Sequence, residues 1–235
     1  QEAVYRIGED YKCRSICPVK YNTEVNQFLV GTQSLKAINK VILLSYDDDR
    51  TAVEQTAVYE HPSEIWIINT NHLNPNKAAI ANGNNELELV QFAESNLEVL
   101  QEIKMTSRIN SLNWTDTGII VSTSTSMISY DLSSFSPNFS YDLPSITTSR
   151  NDPHHSSLFA IATYPACLHI YDNREKNIKY YIPNAHGDKI LDIDFNPNNP
   201  YHLATCSKDT TIRLWDMRKQ DSCLKILQEH SHWVW

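Results

Sequence analysis

The sequence predicts an all-β architecture of short antiparallel strands, repeated about every 42 residues. Three observations carry it. Residues 185–229 alternate apolar and polar side chains in four short runs separated by turn-forming residues. The stretch LATCSKDTTIRLWDMR (203–218) lies on FAIATYPACLHIYDNR (159–174) without a gap. An aromatic–Asp pair then recurs at Tyr46-Asp47, Tyr130-Asp131, Tyr171-Asp172 and Trp215-Asp216.

The best-preserved repeat justifies its elements in order. Leu191, Ile193 and Phe195 share one face of a first strand, because side chains of a strand alternate with period two. Asn196 to Pro200, NPNNP, is a loop, since Asn and Pro favour turns and break ladders. HLATCS is the second strand, TIRLWD the third and CLKIL the fourth. Four short strands with a Trp-Asp pair closing the third are one blade of a WD-repeat β-propeller. Matching the other repeats to this one yields blades at about 1–61, 62–105, 106–143, 144–185 and 186–229 in one propeller over 1–235. The second blade lacks the Asp and offers LELVQFAES, with Phe92 in the aromatic place. The propeller is expected to be incomplete. EHPSEIW (60–66) and EHSHWVW (229–235) both set a Trp five residues after a His, so residues 230–235 are expected to begin the first strand of a sixth blade.

Composition narrows the function classes. A net charge of −8 with scattered Lys and Arg argues against a nucleic-acid binder, whose affinity rests on clustered cations. No apolar run approaches the roughly 18 residues of a membrane-spanning helix, so any membrane association is expected to be indirect, through partners. Five cysteines suggest no disulfide framework; Cys13 and Cys17 are expected on one strand face as reduced thiols. With five glycines there is no phosphate-cradling loop, and no cofactor, metal or small-molecule substrate is indicated.

The polar residues of the fifth blade fit a structural role. His186, Thr205, Asp209 and Trp215 sit where such repeats carry a buried hydrogen-bonding tetrad. Asp209 accepts from His186, and Thr205, or Ser207 on the same face, links His186 to the Trp215 indole. His, Asp and a hydroxyl together suggest nucleophilic catalysis, but all four positions define the repeat and the Trp makes sense only as a packed donor. The chain is therefore not expected to be an enzyme. In the fourth blade the equivalents are Ile161, Pro165 and Tyr171, which cannot build the network. His154-His155 reads as a loop pair without a nearby acidic partner, and Asp47-Asp48-Asp49-Arg50 as a charged turn. Arg174 and Arg218 each stand two residues past the Asp of successive blades. That paired Asp-x-Arg pattern resembles propellers that serve as substrate receptors of cullin–RING ubiquitin ligases, where the arginines meet an adaptor. The plainer reading is local pairing at the surface.

Four stretches carry a more specific likeness: FLVGTQSLK (28–36), EIWII (64–68), NAHGDKILDIDFNPN (184–198) and EHSHWVW (229–235). They resemble the WD-repeat family that interacts with the EARP and GARP tethering complexes. FLVGTQSLK and EHSHWVW are the telling ones, because the propeller fold dictates neither. Residues 84–143 depart from the family, with a shortened insert and a divergent third blade. The resemblance implies a non-enzymatic scaffold in the cytoplasm, peripheral to the trans-Golgi network and endosomes. It implies binding to tether subunits in endosomal recycling, endosome-to-Golgi traffic and dense-core vesicle cargo sorting.

Overall fold

Strands account for all the regular structure of the computed structural model, which describes residues 5–8, 10–19, 26–93, 96–131, 133–219 and 222–235. The first sheet comprises β1 (Lys12–Pro18), β2 (Asn26–Gln33), β3 (Asn39–Asp47) and β4 (Ala52–His61). The second comprises β5 (Ile65–Thr70), β6 (Lys77–Asn82), β7 (Glu86–Phe92) and β8 (Leu97–Lys104). The third comprises β9 (Ile109–Trp114), β10 (Gly118–Thr123), β11 (Ser126–Asp131) and β12 (Pro137–Asp142). The fourth holds β13 (Ile146–Asn151), β14 (Leu158–Thr163), β15 (Cys167–Asp172) and β16 (Asn177–Ile182). The fifth holds β17 (Ile190–Phe195), β18 (His202–Ser207), β19 (Ile212–Asp216) and β20 (Lys225–Leu227). Strands follow sequence order in every sheet, so these are five four-stranded blades of a β-propeller. The chain forms two compact units, divided between Asp116 and Thr117.

Within a blade, burial falls from the second strand to the fourth. Every residue of β14 (LFAIAT) is buried, whereas most of β16 and β8 is exposed. In the second unit, Ala160, Ala162, Leu168 and Ile170 of the fourth blade pack with Ile190, Ile193, Leu203 and Trp215 of the fifth. In the first unit, Leu29 and Val41 meet Ile65, Ile68 and Ile80. The core thus lies between blades, where one sheet face covers the next.

Turn chemistry explains the repeat period. In the second, fourth and fifth blades the residue after the first strand accepts a backbone N–H through its side chain: Asn71 from Leu73 (2.7 Å), Asp152 from His154 (2.8 Å) and Asn196 from Asn198 (2.9 Å). The Asp closing the third strand does the same for the next turn. Asp47 takes the N–H of Asp49 (3.0 Å), Asp131 that of Ser133 (2.9 Å), Asp172 that of Arg174 (3.0 Å) and Asp216 that of Arg218 (3.1 Å). A carboxylate or amide two residues before a turn N–H mimics a backbone turn, which is why the Asp recurs.

First strands share a second device, a bulge near the start. Pairing skips one residue between Cys13 and Ser15, Ile65 and Ile67, Ile146 and Thr148, and Ile190 and Asp192. Arg14, Trp66, Thr147 and Leu191 are the extra residues. The bulge also corrects the cysteine expectation: it breaks alternation in β1, so Cys13 is exposed and Cys17 buried, its thiol pushed up to about 11 by burial. All five cysteines are free thiols.

Two further expectations are corrected. In β7, Val90 opposes Ala78 as Trp215 opposes Leu203, so Val90, not Phe92, holds the aromatic place. Phe92 lies two residues on, hence on the same face, and packs on Tyr59 with ring centroids 5.3 Å apart. Residues 230–235 form no strand. Apolar composition makes a strand only where a neighbour supplies a ladder, and here Val234 N–H donates to Ser207 O (3.2 Å) while Lys208 Nζ lies 4.2 Å from the Trp233 ring.

FLVGTQSLK now has a physical account. Gly31 lies in β2 under the Ile65 side chain; a Cβ there would stand 2.4 Å from Ile65 Cγ2. Beyond it, Asn39 Oδ1 accepts the Ser34 N–H (2.7 Å), Asn39 Nδ2 donates to Ser34 O (3.1 Å), and Ser34 Oγ accepts the Ala37 N–H (3.1 Å). The hairpin satisfies its own buried polar groups. Replacing Gly31 by Ala overpacks this contact, and the unfolding free energy in urea is expected to fall by about 1–3 kcal/mol, whereas an unchanged midpoint would show that Ile65 yields freely.

Candidate functional site

The polar network of the fifth blade is assembled from one loop and three strand-linked positions. His186 precedes β17, Thr205 lies in β18, Asp209 in the turn after it, and Trp215 in β19. Asp209 Oδ2 lies 3.0 Å from His186 Nδ1, and Thr205 Oγ1 lies 2.7 Å from His186 Nε2. Trp215 Nε1 donates to the same Thr205 oxygen at 2.8 Å. The directions are mutually consistent for a neutral imidazole: indole N–H to Thr205, Thr205 O–H to Nε2, and Nδ1–H to Asp209. Ser207 takes no part in that link; its Oγ donates to Asp188 O (3.0 Å) and accepts the Asp209 N–H (3.1 Å).

Two members of the cluster escaped the sequence reading. Thr211 Oγ1 donates to Asp209 Oδ1 at 2.7 Å, and Arg213 Nη1 donates to Ala185 O at 3.0 Å with Nη2 3.7 Å from Asp209 Oδ2. Burial pushes the His186 pKa down, outweighing the opposing pull of Asp209. Asp209 goes to about 2: burial works against this, but the hydrogen bonds from Thr211 and from the Gly187 and Thr211 N–H groups win. Leaving the indole N–H without an acceptor would cost about 1–3 kcal/mol, so the Thr205 hydroxyl has a structural use, whereas Arg213 Nε is buried without a partner. A nucleophile is missing from the cluster. Thr205 is buried at 1 % exposure, with its proton and lone pair both engaged.

A different buried pair, which sequence matching passed over, joins the end of β4 to the second blade. His61 stands four residues before β5, as His186 does before β17, but its acid comes from the third strand instead of the turn. His61 Nε2 lies 2.7 Å from Glu88 Oε2, and His61 Nδ1 lies 2.8 Å from Ser63 O. Asn82 Nδ2 donates to Glu88 Oε1. Burial alone would lower the His61 pKa, yet the hydrogen bonds to Glu88 and Ser63 and the Glu88 charge raise it overall. In the fourth blade the tetrad is absent. Thr163 Oγ1 meets His169 Nε2 at 2.9 Å, burial lowers the His169 pKa, and Tyr171 packs on Tyr141 with centroids 4.3 Å apart.

Arg174 and Arg218 each close on their own Asp, and both stand by Tyr201, which lines a cleft with Arg174. Arg174 Nη2 donates to Asp172 Oδ2 (3.0 Å) and Arg218 Nη2 to Asp216 Oδ2 (2.8 Å), each with a second bond from Nε to Oδ1. Hydrogen bonds from Arg174 and Arg218 hold both carboxyls below their usual range. Arg218 also lies over the Tyr201 ring at 5.0 Å. The loop histidines have an acidic partner after all: His155 Nδ1 is 2.8 Å from Asp152 Oδ2, and His154 Nε2 is 3.0 Å from Asn196 O. Among the described residues no three His, Cys, Asp or Glu side chains gather as metal ligands would.

Five four-stranded blades, with buried polar clusters between their strands, define a repeat protein of the β-propeller class. The chain belongs to the EIPR1 beta-propeller family, whose pattern it matches over residues 2–235. It is 30 % identical over 268 residues to EARP and GARP complex-interacting protein 1 of Macaca fascicularis, covering 97 % of this chain and 69 % of that one. The protein of the same name from Homo sapiens is 29 % identical, with the same coverage. EARP-interacting protein 1 of Caenorhabditis elegans is 37 % identical over 83 residues, covering 35 % of this chain and 23 % of that one.

Two of the buried histidines, His186 and His61, predict opposite pH responses. The pKa of His186 is lowered on folding, so the stability it contributes is present above the unfolded value of about 6.5 and is lost as pH falls through its folded value. The pKa of His61 is raised, so its contribution is present below about 6.5 and is lost as pH rises through its folded value. In urea titrations across pH, His186→Gln is expected to flatten the loss of stability on acidification and His61→Gln the loss on alkalinisation. Identical pH profiles for the two variants would contradict this assignment.

Proposed function

We propose that this chain is a non-enzymatic adaptor that binds the EARP and GARP vesicle-tethering complexes. The observation that carries the proposal is membership of the EIPR1 beta-propeller family over residues 2–235, together with relatives named for interaction with those complexes. The site chemistry supports it. The His–carboxylate–hydroxyl cluster of the fifth blade is buried and consumed by its own bonds, which suits a scaffold better than a catalyst. In this reading the protein is cytoplasmic and peripheral at endosomes and the trans-Golgi network, where tethers capture vesicles. It serves endosomal recycling, endosome-to-Golgi traffic and dense-core vesicle cargo sorting.

A role as substrate receptor of a cullin–RING ubiquitin ligase would need Arg174 and Arg218 to reach a partner. Their Nε–Nη2 edges are already matched bidentately to Asp172 and Asp216, which leaves only the Nη1 end of each guanidinium to meet a partner. Affinity purification with mass spectrometry, comparing wild type with R174A/R218A, separates the two readings. Equal recovery of tether subunits by both forms is the expected result. Recovery of a cullin adaptor by wild type alone would overturn it.

A further inference from the structure

Arg14, Trp66 and Arg108 belong to none of the networks above, and the first unit brings them together. Arg14 is the extra residue of the bulge in β1, and Trp66 that of the equivalent bulge in β5. A bulge leaves its extra residue outside the ladder and re-aims the side chain. Arg108 stands immediately before β9. The guanidinium carbon of Arg14 lies 5.3 Å from the Trp66 ring centroid and that of Arg108 lies 4.4 Å from it.

The indole is fixed in place. Trp66 Nε1 donates to Glu64 Oε2 at 2.9 Å, and Gln33 Nε2 donates to the same oxygen at 3.1 Å. Both arginines are exposed, and among the described residues neither forms an ion pair. The contrast is with five of the six other arginines, Arg6 being the exception among the described residues. Arg50, Arg150, Arg174, Arg213 and Arg218 each meet an Asp or Glu side chain. In a protein of net charge −8, two cations have been set on one aromatic ring without an Asp or Glu ion partner. They also disfavour each other: burial first, and then the Arg14 charge, lower the Arg108 pKa. Glu64 offsets part of this charge, but its Oε2 is already shared between Trp66 and Gln33.

We propose that Arg14, Trp66 and Arg108 form a docking surface for an Asp- and Glu-rich peptide segment of a protein partner. Guanidinium forks take carboxylates bidentately, and the indole supplies a rigid apolar contact between them; Arg and Trp are the residue types that dominate binding energy at interfaces. A single cluster of two arginines on an acidic chain lacks the cationic stripe a nucleic-acid backbone requires. The proposal deepens the adaptor reading by naming the chemistry of the segment a partner offers, and it rests on that reading only for the partner being a protein.

Fluorescence anisotropy of a labelled Asp/Glu-rich peptide, titrated with the full chain, tests it beside the Asn/Gln counterpart of the same length. Wild type is expected to bind the acidic peptide in a salt-sensitive manner and not the neutral one. R14Q/R108Q is expected to lose about tenfold or more in affinity with an unchanged melting temperature. As a check independent of loss of function, R14E/R108E is expected to bind a Lys-rich peptide instead. Equal affinity of wild type and R14Q/R108Q, binding of the neutral peptide as tightly as the acidic one, or no binding at low salt would each overturn the proposal. Arg14- and Arg108-dependent sedimentation with anionic phosphatidylserine vesicles in place of peptide binding would overturn it as well. Failure of the wild type to recover tether subunits strikes the adaptor reading alone, since the peptide titration does not use them.

Discussion

Face-to-face packing between neighbouring sheets is the constraint on which the rest of this structure depends. A four-stranded antiparallel blade has two faces and cannot bury either by itself. Strand β14, buried at all six residues, has its ladder partners in its own sheet, and its blade's apolar side chains meet the next blade through Ile190, Ile193 and Trp215. Close approach then dictates residue choice. Gly31 is needed because Ile65 rests on it, and the small residues Ala78, Ala79, Ala81, Ala160 and Ala162 are fully buried in second strands. Strand four, far from this packing, is free to be polar, and β8 is mostly exposed.

Burying so many backbones leaves polar groups that must be satisfied locally, and the blades solve this differently. The fifth uses His186, Thr205, Asp209 and Trp215 in a closed chain of donors and acceptors. The second keeps the His but takes its carboxylate from Glu88 in strand three. The fourth replaces the network with a Thr163–His169 contact and packed tyrosines. These solutions carry different charges, so the blades need not respond alike to acid. What they share is commitment: side chains that resemble catalytic groups are spent on structure, which leaves exposed side chains such as Arg14 and Arg108 to meet a partner in the proposed reading.

The parts that were legible in the sequence are those governed by local chemistry. Asp47, Asp131, Asp172 and Asp216 each accept the N–H two residues on, so they mark the end of the third strand directly. His186, Thr205, Asp209 and Trp215 stand at repeat-defining positions around the turns, which makes them legible as a set. Other features escaped for physical reasons. A carboxylate moved from a turn to a strand, as at Glu88, keeps its function while losing its place in the repeat. Val90 and Phe92 point the same way because strand periodicity is two, and only pairing distinguishes them. Trp233 and Trp235 have strand-like composition but no ladder. Bulges at Arg14 and Trp66 leave no mark in composition, and the meeting of residues from three blades cannot be inferred from their spacing.

Direct contact with a tether, through a surface and with no chemistry of its own, is the mode of action proposed for this propeller. Biolayer interferometry of the purified chain against purified EARP and GARP complexes tests that claim most directly. Saturable binding to both, undiminished when His186 or Asp209 is replaced in a variant that still folds, is the predicted result. No binding to either complex, at concentrations well above those of a functional interaction, would contradict it.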